Sequence, residues 1–282
     1  MNVLNIANKI KNTGYTALNG VLREEELNNK LSFLNHKIPK SAKGTFPIYF
    51  SQYFLKLLKF DFKKLSQSLI LKKIAKDLKL KEISDEVFNA ETELHMIDSY
   101  YSEKSDSDII TWHNDLGINE KSISIDKSRK YFLDKAKATL KNEKTSQSPR
   151  GLKFFIYLTD VHSNNGALAV IPNSNKIVKT VCKLILEEKI PMMPCWDLES
   201  LRRILKNERF KNLLIEYIER DKIEIFLQQS EFINEEKKDT GEFDLEMKKG
   251  SMVIFDELCV HRGSAPKKNS RIVLRYLFRK KL

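Results

Sequence analysis

Cysteine is scarce in this chain. Its 282 residues hold Cys182, Cys195 and Cys259, an odd set with no CxxC spacing, which argues against a disulfide framework. Cys259 lies two residues before His261 and reads as a small buried strand residue. Glycine and proline are also few, at 9 and 7, and they never gather into a linker. We therefore read residues 1–282 as one domain, an ordinary size for a single β core with additions. No apolar run approaches the ~18–20 residues that a membrane span needs. The opening MNVLNIANKIKN has neither a signal-peptide apolar region nor a small-residue cleavage site, so the expectation is a soluble cytoplasmic protein.

What the chain has in excess is positive charge, with a formal net charge of +12. The excess is mostly Lys, in a chain also rich in Asn and Ile, the joint bias that AT-rich codons give. Nucleic-acid binders cluster Lys and Arg in a stripe, with aromatics interleaved where single strands bind. Here Lys and Arg mix with Glu and Asp in stretches such as KKIAKDLKLKE and ESLRRILKNERFKN. The expected partner is a small molecule, an anionic one suiting the charge better than nucleic acid or a membrane.

Apolar spacing predicts a mostly helical part over 1–90, with helices from Glu24 to Leu34 and from Phe62 to Leu80. From residue 91 onward short β-branched and aromatic runs predict strands: ELHMIDSYYS, LKFFIYLTDV, GALAVIP, IEIFLQ, GSMVIFDE and RIVLRYLF. Leu201, Ile204, Leu205, Leu214, Tyr217 and Ile218 mark helix between them. The polar stretch 117–150 is long for a loop, and its small apolar cluster (Tyr131, Phe132, Leu133, Leu140) is expected to dock over a pocket as a lid. If it does not, the lid should lie in the helices of 176–222. The pattern is that of an all-β core decorated with helices.

The chemistry centres on Thr111-Trp112-His113-Asn114-Asp115. On a strand, residues i and i+2 share a face, so the His113 imidazole and the Asp115 carboxylate would converge. A second His from a distant strand would complete a 2-His-1-carboxylate set that leaves three positions open on Fe(II). Alone the motif is weak, since 5 His and 38 acidic residues in 282 give roughly 0.7 such pairs by chance. His36, His95 and His162 read as a helix-end surface residue, a strand residue beside the pocket and a loop residue. Context strengthens the motif. Lys249 to Asp256 reads as turn and strand, His261 follows, and Arg271 and Arg275 share a face of the last strand. A guanidinium there suits bidentate capture of a dicarboxylate's far end. Paired at a sheet edge, either Arg would be structural.

The chain resembles the phytanoyl-CoA dioxygenase family of Fe(II)/2-oxoglutarate oxygenases in four blocks: NTGYTALNGVLREEELNNKL, TWHNDLG, FFIYLTDVHSNNGALAVIPNSNK and MKKGSMVIFDELCVHRGSAPKKNSR. The resemblance implies a mainly β fold, a double-stranded β-helix or jelly roll, with flanking helices and helical insertions near 117–150 and 176–222. It implies Fe(II) on His113, Asp115 and His261, with 2-oxoglutarate as cosubstrate on Arg271, and O2. The family's Arg usually lies one residue further from the His, so Arg275 stays open as the anchor. Asp115 favours hydroxylation, because related halogenases carry Gly or Ala there. Tyr100 and Ser264 are candidates for hydrogen bonds to the cosubstrate, and Trp112 for support of the His113 ring. Two rival readings are a protein-hydroxylating jelly-roll oxygenase, which would anchor 2-oxoglutarate on Lys153, and a non-catalytic jelly-roll binding protein.

Overall fold

The computed structural model describes residues 1–32, 45–49, 62–163, 165–235 and 243–282. In chain order these form α1 (Val3–Thr13), β1 (Tyr15–Leu18), α2 (Glu24–Lys30), β2 (Thr45–Tyr49), α3 (Phe62–Asp77), α4 (Leu80–Phe88), β3 (Thr92–Ser102) and β4 (Ile110–His113). There follow α5 (Asp126–Ala136), β5 (Gly151–Tyr157), β6 (Leu168–Val170), α6 (Ser174–Leu186), α7 (Leu198–Lys206), α8 (Glu208–Ile215) and α9 (Arg220–Glu235). The chain closes with β7 (Asp244–Leu245), β8 (Met252–Asp256), β9 (His261–Gly263) and β10 (Arg271–Lys280).

Helix exceeds strand among the described residues, 43% to 24%, so the composition is not the mainly β one expected. One reason is IEIFLQ, predicted as a strand and found inside α9. Its Ile223 and Phe226 are buried at helical spacing, and a short apolar run cannot be assigned by periodicity alone. The long front helix is also two: the chain turns at Lys79, which takes a left-handed φ of 54° between α3 and α4. The region of His36 lies outside the described residues, as does the end of the expected Glu24–Leu34 helix.

The strands make a six-stranded antiparallel sheet in the order β1-β8-β5-β10-β3-β2 and a four-stranded one in the order β4-β9-β6-β7. Alternation along β5 sends Leu152, Phe154 and Ile156 to one face and Phe155 and Tyr157 to the other. The first set packs with Ile254, Leu274 and Tyr276 against Ile6 and Ile10 of α1, Leu71 and Ile74 of α3 and Leu80 and Ile83 of α4. The second set packs with Val253, Phe255 and Val273 against Leu168 and Val170 of the smaller sheet. One sheet face thus carries the front helices, and the other closes on the second sheet.

A third core joins the later helices, where Ile177 and Val181, Leu201 and Ile204, Leu214, and Ile223 and Phe226 meet Leu116, Ile118, Leu258 and Val260. This core also receives Phe132 and Ala136 of α5. The stretch 117–150 therefore holds α5 and a further helical turn after it, packed on its neighbours.

Phe154 is fully buried against Phe278, with ring centroids 5.7 Å apart. Phe154→Ala is expected to cost about 3–5 kcal/mol of folding stability, read from the urea midpoint at unchanged m-value.

Candidate active site

β9 lies between β4 and β6, and its register sets His261 directly opposite His113 on one side and Val170 on the other. The two imidazoles come to 4.3 Å between ring centroids. β4 ends at His113, so Asp115 does not reach the site by simple strand alternation as expected. Asn114 brings it there. This buried side chain donates from Nδ2 to the carbonyls of Cys195 (2.7 Å) and Trp196 (2.9 Å), and its Oδ1 accepts from the N–H groups of Leu116 (3.1 Å) and Gly117 (2.6 Å). The Asp115 N–H then donates to the carbonyl of Glu257 at 3.1 Å. Gly117 permits the turn because a Cβ there would lie 2.2 Å from the Cys195 carbonyl oxygen.

The outcome is convergence. His113 Nε2 lies 3.8 Å from Asp115 Oδ1, and His261 Nε2 lies 3.9 Å from Asp115 Oδ2. One ligand atom from each residue falls within 4.8 Å of the others, the spacing of a three-donor metal set. Both rings are locked from behind: His113 Nδ1 is 2.7 Å from the Thr111 carbonyl, and His261 Nδ1 is 2.8 Å from the Cys259 carbonyl. A carbonyl only accepts, so each Nδ1 carries the proton and each Nε2 keeps its lone pair for a metal. Burial pushes the His261 pKa down to about 3 and lowers that of His113. Burial alone would raise the Asp115 pKa, but Lys153, His261, Arg150 and His113 outweigh it and hold the carboxylate well below its usual range. At neutral pH the three are in the protonation states in which they bind metal.

The triad lines a cavity of about 420 Å³, together with Tyr100, Ser102, Ile109, Ile110, Lys153, Phe155, Leu168, Gly263, Arg271 and Arg275. The two arginines differ sharply. Arg275 is engaged bidentately by the fully buried Asp98, with Nε donating to Oδ1 at 2.7 Å and Nη2 to Oδ2, and it lies over the Tyr100 ring. Arg271 is 5% exposed, and among the described residues no carboxylate pairs with it. Its Nη1 donates to the Gly166 carbonyl at 2.8 Å, while its Nε is buried without a partner. Ser102, its cross-strand neighbour, has a buried hydroxyl that is also unpartnered.

Of the two residues offered for hydrogen bonds to the cosubstrate, Tyr100 lines the cavity and Ser264 does not. Its hydroxyl donates to the Ala167 carbonyl at 2.9 Å, and it is absent from the cavity wall. Trp196, not Trp112, packs on the His113 ring, at 5.1 Å between centroids. Trp112 faces the helical core and the Arg262 guanidinium. His95 contacts Arg279, and His162 is exposed. Cys259 is buried and donates to the Gly14 carbonyl at 3.3 Å. The described residues of 117–150 pack on the late helices and do not line the cavity. Sequence reasoning missed Asn114, Ser102, Trp196 and Glu257. Only Ser102 had a readable signal, two places after Tyr100 on one strand face.

Two imidazoles and one carboxylate between antiparallel sheets are the donor set of non-haem iron oxygenases. The family model for phytanoyl-CoA dioxygenase (PhyH) matches residues 10–272, and the chain belongs to that family. Among solved structures, HygX from Streptomyces hygroscopicus with iron bound is 13% identical with a TM-score of 0.51, over 99% of this chain and 86% of that one. The epimerase SnoN in complex with Fe3+, alpha ketoglutarate and nogalamycin RO is 12% identical at TM-score 0.50, over 99% and 83%. The alpha ketoglutarate dependent carbocyclase SnoK from nogalamycin biosynthesis is 12% identical at TM-score 0.50, over 98% and 83%. At such identities the likeness is one of fold. No curated protein sequence matches the chain. Among the described residues no helix is long and apolar enough to cross a membrane.

Two outcomes check the charge assignments. Arg275→Ala leaves Asp98 buried and unpaired, and is expected to cost about 3–5 kcal/mol of stability by chemical denaturation. The metal-free protein should lose stability as pH falls from about 6.5 toward about 3, because the unfolded chain binds a proton at His261 that the folded one refuses. His261→Gln should flatten that part of the profile of Tm against pH.

Proposed function

We propose that this chain is an Fe(II)/2-oxoglutarate-dependent dioxygenase with a double-stranded β-helix (jelly-roll) core, hydroxylating a small-molecule substrate with release of succinate and CO2. The observation that carries the reading is the pairing, in one cavity, of the His113–Asp115–His261 set with an Arg271 that lacks a carboxylate partner.

A buried guanidinium with no counter-charge is costly, and an orphaned Nε beside an orphaned Ser102 hydroxyl describes a place for an anionic ligand. A dicarboxylate fits: its far carboxylate on Arg271, its 2-oxo acid end toward the triad. Burial lowers the Arg271 pKa from the ordinary value, against the opposing influence of Tyr157 and Tyr100, but a guanidinium stays charged. The triad would hold Fe(II) and Arg271 would hold 2-oxoglutarate, which together would supply an O2-dependent oxidation of the substrate coupled to succinate and CO2 release.

The chain's own residues hold and shield. Thr111 and Cys259 orient the imidazoles, Asn114 presents Asp115, Gly166 aims Arg271, and the buried Phe155 and Leu168 give the cavity an apolar wall. Lys153 and Arg275 face carboxylates, which supports Arg271 as the anchor over either. Among the described residues, Arg271 is the one cation of the cavity wall without a carboxylate partner. An epimerase and a carbocyclase among the structural relatives make the reaction's outcome a matter for product analysis.

The test is succinate formation from 2-oxoglutarate, with iron, across a panel of candidate small molecules. Arg271→Ala should raise the KM for 2-oxoglutarate by about 30-fold or more, from a lost charge-assisted pair of roughly 2–5 kcal/mol. His261→Ala should abolish turnover. Succinate formation that survives His261→Ala sinks the assignment, and an unchanged KM in Arg271→Ala moves the anchor elsewhere.

A further inference from the structure

β5 is buried at every position, yet its third residue is a lysine. Lys153 shares the inner face with Phe155 and is 6% exposed in the cavity wall. An ammonium so placed is unfavourable unless it is paired, and an apolar residue would pack there at lower cost. Its Nζ donates to Asp115 Oδ2 at 2.5 Å and lies 3.6 Å from Glu257 Oε1. Glu257 is 2% exposed, and its other oxygen accepts the Gly151 N–H at 2.8 Å, so it is tied to the start of the same strand. Arg150 Nη1 approaches it at 4.0 Å. Lys153 is thus gripped from behind and presses on one oxygen of the carboxylate in the triad.

We infer that Lys153, braced by Glu257, is a positioning residue that restricts Asp115 to one-oxygen ligation and so keeps a metal position open for 2-oxoglutarate. The inference rests on the reading given under Proposed function. Three single-atom donors leave three positions of an octahedron: two for the 2-oxo acid and one for O2. A carboxylate free to turn can use both oxygens and take one of them. With Lys153 on Oδ2, which itself lies 3.9 Å from His261 Nε2, it is Oδ1, 3.8 Å from His113 Nε2, that the ammonium leaves for the metal.

A simpler role would be neutralisation of buried Glu257, and a pair of variants separates the two. Lys153→Met removes the ammonium, and the double variant Lys153→Met/Glu257→Gln removes the charge it would neutralise, protecting the fold. Each is loaded with Co(II), whose visible bands report coordination number, and titrated with 2-oxoglutarate, while Tm is followed separately. Both variants should bind Co(II) within about threefold of the parent, show altered bands, and bind 2-oxoglutarate about tenfold or more weakly, the scale of outer-shell partners. Parental bands and 2-oxoglutarate affinity in the double variant overturn the inference, since neutralising Glu257 would then be all that Lys153 does. The same parental behaviour in a folded Lys153→Met overturns it too. A parent protein that binds no 2-oxoglutarate in the presence of metal overturns the functional reading itself, and the inference with it.

Discussion

The site depends on one side chain that touches neither metal nor cosubstrate in the arrangement proposed. Asn114 stands between His113 and Asp115, and its amide makes four hydrogen bonds to backbone. Two of them hold the Cys195–Trp196 segment, and two fold the chain back at Leu116 and Gly117. Strand β4 stops at His113, so without this turn Asp115 would continue outward. The same contacts place Trp196 on the His113 ring. Because the Cys195 segment sits between helices α6 and α7, the late helical core is part of the metal site's scaffolding and more than a covering.

Charge is arranged by the same logic of partners. Among the described residues three cationic side chains reach the cavity, and two are consumed locally: Arg275 by Asp98, and Lys153 by Asp115 with Glu257. Arg271 alone has only a carbonyl for company. A buried cation left incomplete by the protein is a binding statement, because desolvation makes it attract a counter-charge far more strongly than a surface group would. Arg271 and Arg275 lie four residues apart on one strand face, and what distinguishes them is the residue each meets across the β3–β10 ladder: Ser102 for one, Asp98 for the other.

Much of this was legible beforehand because it is local or periodic. His113, Asp115 and His261 were readable from a short motif and its order in the chain, and alternation in RIVLRYLF put both arginines on one face. β5 and β8 showed as short runs rich in β-branched and aromatic residues. Errors came where local pattern is ambiguous. IEIFLQ reads as strand but lies in α9, since a six-residue run with Ile223, Ile225 and Phe226 fits either period. The stretch 117–150 reads as polar, yet Phe132 and Ala136 suffice to seat α5 on the late helices. Ser264 looked available, but its hydroxyl is used by the Ala167 carbonyl, 97 residues away.

By itself the sequence determined the donor types, their order and the alternation that puts Arg271 and Arg275 on one strand face, since residue identity and the two-residue strand period are properties of the chain alone. It also determined that a guanidinium would face the site. Which guanidinium is free, that Lys153 leans on Asp115, and that Asn114, Trp196 and Glu257 build the surroundings were decided only by tertiary structure. Each of those facts is a pairing between residues tens to hundreds of positions apart. Strand register and helix packing choose such partners, and no local spacing encodes them.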